Sequence, residues 1–184
     1  MKIKDRLYLS FLKSLCSQED KIAYGEMEYE GMQQLYNHIK KINSNVDCFI
    51  DIGSGKGKLC IYMATQPKIE RVIGIEIDKE RHQDALDLKT DLNCVKSDKV
   101  ELINKSIFDV DLKKYGTNQV FVWFSNLCFN SYEKNDIFKK LRIWLSRGSL
   151  ICCLSKPDIN IEYLESVIIP MSWNNSCPVY IYRL

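Results

Sequence analysis

Histidine is nearly absent from this chain, with two in 184 residues. That scarcity argues against a histidine-based metal centre, and no Cys-x-x-Cys pair offers a thiolate alternative, so no metal is expected. The eight cysteines are scattered, and Cys48, Cys60, Cys152 and Cys153 fall inside predicted strands or helices. They read as buried free thiols of a reducing compartment rather than a disulfide framework. No apolar run is long enough to span a bilayer. The opening Met1-Lys-Ile-Lys-Asp-Arg-Leu-Tyr has no signal-peptide core. The expected location is therefore intracellular, with nucleus and cytoplasm both open because there is no basic import run. Positive charge is also in short supply, at a net +2. The basic clusters (Lys2, Lys4, Arg6; Lys40, Lys41; Lys139, Lys140, Arg142) are small and read as solvated helix faces. Any contact with nucleic acid is expected to be weak or indirect.

Apolar and charged residues are present in the proportions of an ordinary globular protein, and the length suits one compact domain, expected to be a monomer. Within it, a helical cap with a Tyr-Gly-Glu segment is expected over residues 1–45 and a ligand-binding core over 46–184.

The core is organised around Phe49-Ile-Asp51-Ile-Gly53-Ser54-Gly55-Lys56-Gly57-Lys58. An apolar run breaks into glycines at alternate positions and resumes as a helix, the pattern of a strand-to-helix turn whose backbone approaches a ligand closely. The helix's first amides are expected to point at that ligand. The spacing is GxGxG rather than the dinucleotide GxGxxG. Gly57-Lys58-Leu59 is not the GKS or GKT of a phosphate loop. Glu76 follows Asp51 by twenty-five residues and ends the second apolar run, Arg71-Val-Ile-Gly-Ile-Glu76. A carboxylate at that strand tip can accept both ribose hydroxyls. The turn and the distal glutamate resemble motif I and the acidic loop of class I S-adenosylmethionine (SAM) methyltransferases, which makes SAM the expected cofactor. Asp51, Gly53, Ser54, Gly55, Gly57, Lys58 and Glu76 are the expected binding residues.

Hydrophobic periodicity predicts helices over 1–20, from about Met32 to Asn43, and over 57–66, 78–90 and 132–145. Strands are predicted over 47–52, 71–75, 99–103, 119–124 and 149–154, with two more over 161–171 and 179–183. Alternating strands and helices followed by a terminal strand pair give a doubly wound, mostly parallel seven-stranded α/β sheet, Rossmann-like, with an antiparallel edge. Ligands of such sheets lie beyond the carboxyl ends of the strands. The candidate stretches are therefore the strand exits, including Asn104–Asp109, Phe124–Phe129 and Ser155–Pro157. The third exit, Asn104-Lys-Ser106-Ile107-Phe108-Asp109, should meet the adenine, with polar groups for an exocyclic amine and apolar ones for a ring face. The fourth, Phe124-Ser125-Asn126-Leu127-Cys128-Phe129, lacks the Pro-Pro-aromatic element with which amino methylases stack a flipped base, which argues against an adenine or cytosine substrate.

Several further stretches are similar to the non-SET histone lysine methyltransferases named for disruption of telomeric silencing. Tyr24-Gly25-Glu26 matches that family's Tyr-Gly-Glu before a helix. Asp51-Ile-Gly-Ser-Gly-Lys-Gly-Lys58 matches its Asp-Leu-Gly-Ser-Gly-x-Gly-Gln, and Ser125 to Phe129 its Asn-Asn-Phe-Ala-Phe. Ser155-Lys156-Pro157 matches its Ser-Lys-Pro, and Ser172-Trp173…Pro178-Val179-Tyr180 its Ser-Trp…Pro-Val…Tyr. The resemblance implies methyl transfer to a protein lysine, with a histone in the nucleosome as the expected partner. It implies a lysine channel lined by Ser125, Asn126, Phe129, Trp173 and Tyr180 or Tyr182, and a cofactor site that includes Tyr24, Gly25 and Glu26. The family's adenine-binding Asp-Phe falls on Ser106-Ile107 here, and its first strand-four asparagine on Ser125. The alternatives left open are a methyltransferase for another protein, an RNA or a small molecule, and a SAM-binding module without turnover.

Overall fold

The computed structural model describes residues 25–91, 97–115 and 119–184. The helix expected over 1–20 and Tyr24 lie outside the described residues. The first described helix, α1 (Tyr29–Ile42), buries the stripe Met32, Leu35, Tyr36 and Ile39 and carries Lys40 and Lys41 in its last turn, where cations favour the helix dipole. Asn43 ends it, with its side-chain amide donating to Gly148 O at 3.1 Å and its Oδ1 accepting from Asn45 N.

β1 (Cys48–Ile52) is buried along its whole length. It is followed by α2 (Lys58–Ala64), β2 (Arg71–Glu76), α3 (Lys79–Asp91), β3 (Val100–Asn104), β4 (Val120–Phe124), α4 (Ser131–Trp144), β5 (Leu150–Cys153), β6 (Glu165–Met171) and β7 (Asn174–Arg183). The seven strands form one sheet in the order β3-β2-β1-β4-β5-β7-β6. The first five run parallel, and β7 is antiparallel to both β5 and β6. Side chains alternate across β1. Phe49 faces the core formed with α1 and α2, while Cys48, Ile50 and Ile52 face the core formed with α4. Helices on both faces explain why β1, β4 and β5 read as unbroken apolar runs.

Two boundaries differ from the sequence expectation. β6 begins at Glu165, not at residue 161, and β7 begins at Asn174, five residues before the expected start. Asn174-Asn175-Ser176 carries turn-forming residues, but all three are exposed, and Met171 pairs directly with Asn174. Ser172-Trp173 is therefore the two-residue tip of a hairpin rather than part of a linker. The six described cysteines are free thiols, five of them buried. No described helix is long and apolar enough to cross a membrane. Among the described residues no group of metal-ligating side chains is assembled.

Candidate functional site

The strand order reverses between β1 and β4, with α2 leaving on one face and α4 on the other. That switch point is where an open α/β sheet leaves a crevice. A cavity of about 410 Å³ opens there, running along the strand tops from the exit of β3 to the exit of β4.

The glycine turn forms its floor. Gly53, Gly55 and Gly57 all have positive φ, at 81°, 53° and 77°, a region that side chains with a Cβ rarely adopt. A Cβ on Gly53 would meet no protein atom within 4 Å and would stand in the cavity. The turn's own amides at Gly53, Ser54, Gly55 and Gly57 are taken up within the protein. Gly53 N and Ser54 N donate to Ile75 O, Gly57 N donates to Ser54 O, and Gly55 N donates to Glu76 Oε2 at 2.8 Å. They are spent on locking the turn to the exit of β2, so the loop is a steric cradle rather than an anion nest. That suits a ligand without phosphate.

Three carboxylates follow. Glu76 is buried, with Oε2 on Gly55 N and Oε1 accepting from Asp78 N at 2.8 Å. A carboxylate has about four acceptor positions, so two backbone donors orient it and still leave sites for ribose hydroxyls. Asp51 is 2% exposed and takes a long contact of 3.7 Å from Cys60 Sγ on Oδ2, while Oδ1 has no partner. Burial, with Glu76 and Glu26 nearby, pushes its carboxyl up to about 8. A buried acid without a donor is costly unless a ligand supplies one. Glu26 forms an ion pair with Lys58, Oε2 to Nζ at 2.6 Å, with side chains only 10% and 8% exposed. This pair joins the segment before α1 to the first residue of α2 across the cavity wall.

The same segment is laced to the β6–β7 hairpin tip. Glu26 N donates to Ser172 Oγ at 3.1 Å, Ser172 N donates to Glu26 O at 2.9 Å, and Met27 bridges to Met171. Trp173 lies against Gly25 so closely that a Cβ there would collide with the indole ring at Cε3. The position thus accepts glycine because a neighbouring ring occupies the space of any side chain. Gly25, Glu26 and Trp173 all line the cavity.

At the β3 exit, Ser106 and Ile107 line the wall with Ile77, Arg81 and Lys105. Ser106 Oγ accepts from Phe108 N at 3.3 Å, shaping a short turn. At the β4 end the structure divides the expected channel residues into two groups. Ser125, Phe129 and Trp173 line the cavity, joined by Trp123, Cys128, Glu133 and Met171. Asn126 does not: it is fully buried, its Nδ2 donating to Ser155 O at 2.7 Å and its Oδ1 accepting from Ser155 N at 2.9 Å. It clamps the exit of β4 to that of β5. Tyr180 and Tyr182 also stand apart, on the α4 face. Tyr182 packs on Phe138 at 5.1 Å, and Tyr180 meets Tyr163 edge-to-face beneath the Lys156 ammonium, which is 4.9 Å from the Tyr180 ring. Strand parity is the reason, since both tyrosines share a face with Ile151 and Cys153.

The residues present fit SAM. The cradle at Gly53, the unpartnered Asp51 oxygen, the oriented Glu76 carboxylate and the apolar wall at β4 are groups that suit the amino-acid, sulfonium and ribose parts of such a cofactor. The sequence matches the family described as "Histone methylation protein DOT1" over residues 12–142.

The chain belongs to the DOT1 family.

A 54-residue stretch is 43% identical to the H3 lysine-79-specific histone-lysine N-methyltransferase of Drosophila melanogaster. That match covers 29% of this chain and 3% of the fly protein, so the chain corresponds to a small part of that relative's length. Solved structures share the fold at low identity. An RNA methyltransferase of Salinibacter ruber, in complex with S-adenosylhomocysteine, is 18% identical with a TM-score of 0.61, covering 82% of this chain and 90% of its own. A methyltransferase of Geobacter sulfurreducens is 16% identical with a TM-score of 0.61, covering 100% of this chain and 99% of its own.

The sequence did not single out Trp123, Cys128, Glu133 or Met171. Trp123 and Met171 sit inside predicted strands, and their place at the cavity follows from pairing register. Glu133 could have been found, because Asn130-Ser-Tyr-Glu133 is a capping-box spacing that places the glutamate beside the β4 exit.

Proposed function

We propose that this DOT1-family methyltransferase methylates the side-chain amine of a protein lysine, with a core histone lysine in the nucleosome as substrate. The observation that carries the reading is the wall at the β4 end. Trp123, Phe129, Met171 and Trp173 make it apolar and aromatic, with the Ser125 hydroxyl among them. Such a wall suits the unbranched aliphatic stem of lysine. It also disfavours the ammonium form by desolvation, as a nitrogen nucleophile requires. When bound, SAM supplies the electrophilic methyl group: the amine lone pair takes the methyl carbon, the C–S electron pair stays on sulfur, and the nitrogen's surplus proton leaves to solvent.

The chain's own residues orient and exclude water, which is where catalysis of such a displacement lies. Glu76 and the glycine cradle set the position of the ribose half. The Glu26–Lys58 pair and Asp51 face the amino-acid half. Asn126 holds the β4 exit in place through Ser155, so Ser125 and Phe129 keep their station. Action on a histone implies work in the nucleus.

The test is transfer from radiolabelled SAM, run in parallel on nucleosomes, free histones and total cell lysate. Label on a core histone within nucleosomes is expected. Label confined to another lysate protein would keep the lysine chemistry and change the substrate. No label anywhere, with SAM binding intact, would make the chain a cofactor-binding module.

A further inference from the structure

Glu133 is a lining carboxylate that stands outside the cofactor half of the cavity. Asp51, Glu76 and Glu26 sit on the β1 turn, the β2 exit and the segment before α1. Glu133 instead comes from the first turn of α4, beside Ser125, Cys128 and Phe129 at the β4 end.

Its geometry is fixed in advance. Glu133 Oε2 accepts from Asn130 N at 2.9 Å, and Asn130 Oδ1 accepts from Glu133 N at 3.0 Å, a reciprocal capping box. The box needs an acceptor at this position and not a charge, and glutamine fills it equally well. The negative charge is therefore surplus to the cap. The carboxylate is held by its own backbone, so little ordering is required when a ligand arrives. Around it the wall offers aromatic carbon, a thiol and a hydroxyl but no cation, since Lys58 is paired with Glu26 and Arg81 and Lys105 lie at the β3 exit.

We propose that Glu133 is the acceptor-recognition group of this enzyme. It receives a primary ammonium at the mouth of the β4 end and delivers it to the apolar wall beyond. The substrate class it selects is a cationic amine on an unbranched chain, and it repels a polyanionic acceptor such as RNA. This rests on the assignment of the cavity to SAM.

The test is calorimetric binding of S-adenosylhomocysteine and of two adenosine analogues that keep the amino-acid arm. Both carry a second arm of equal length at the sulfur position, one ending in an amine and the other in a methyl group. The parent protein should bind the amine-tipped analogue about tenfold more tightly, the size of one charge-assisted contact. Glu133→Gln should erase that preference and leave S-adenosylhomocysteine affinity and far-ultraviolet circular dichroism unchanged. Equal binding of the two analogues by the parent overturns the proposal, as does a preference that survives Glu133→Gln. The parent comparison decides the matter even if the variant does not fold. Absence of S-adenosylhomocysteine binding would instead sink the cofactor assignment, and the proposal with it.

Discussion

Replacing Lys58 by Met removes the cation of a pair that is about nine-tenths buried. The partner, Glu26, cannot swing out freely, because its backbone is hydrogen-bonded on both sides to Ser172. Breaking a buried pair by removing one member costs about 3–5 kcal/mol, since the remaining charge is uncompensated. Protonation of Glu26 recovers part of this, so a loss of about 2–4 kcal/mol is expected near pH 7. For a chain of this size about 1 kcal/mol moves Tm by about 2–4 °C, giving a drop of roughly 5–15 °C. Removing both charges, as Lys58→Met with Glu26→Leu, should restore most of the stability, because two well-packed apolar groups replace the pair with no orphan. Urea or thermal melts of the parent, both single variants and the double close a thermodynamic cycle, with an expected coupling of about 2 kcal/mol. Lys58→Gln, the residue the DOT1-type motif carries here, should cost less than Lys58→Met because its amide still donates to Glu26. Additive single losses, with coupling below about 0.5 kcal/mol, would refute the view that this pair fastens the segment before α1 to α2.

The buried Asp51 carboxyl makes cofactor binding pH-dependent. Its folded form holds a proton up to about 8, whereas an unfolded aspartate ionises near ~3.9, so the ligand-free protein should lose stability as pH rises from about 4 to 8. A cationic cofactor favours the ionised form, so SAM affinity should climb by up to about tenfold per unit between pH 6 and 7.5, with Glu26, Glu76, Cys60 and Lys58 as the facing groups. Calorimetry across that range on the parent and on Asp51→Asn, which should be flat, checks both signs. Glu76→Ala should abolish measurable SAM binding by removing the ribose acceptor and releasing Gly55 N; unchanged affinity would remove Glu76 from the site. Asn126→Ala deletes two hydrogen bonds from a fully buried clamp and should destabilise the fold by about 2–4 kcal/mol. It should lower kcat more than SAM affinity, and equal losses would place its influence in the cofactor half instead.

The sheet and the turn at the exit of β1 were legible because local pattern decides them. Cys48–Ile52 can only be buried, alternating glycines can only turn, and Glu76 must end β2. The acceptor end was less so, because tertiary register decides it. Asn126 reads as a channel amide in sequence, yet the proximity of Ser155 draws its side chain inward. Tyr180 and Tyr182 follow the matching motif, but pairing with Cys153 and Ile151 sends them to the α4 face. Nothing local shows that the carbonyl of Ile75 and the carboxylate of Glu76 take up the turn's amides. No local signal joins Glu26 to Lys58, thirty-two positions apart; only the fold brings that pair together.

The proposed transfer of a methyl group from this cavity to a lysine nitrogen is directly testable. The most direct measurement is mass spectrometry of nucleosomes after incubation with the protein and SAM bearing a deuterated methyl group. The heavy methyl is expected on the side-chain nitrogen of a core histone lysine, and lost when Glu76→Ala replaces the parent. Heavy methyl on a nucleobase, or on no histone lysine while SAM is bound, would contradict it.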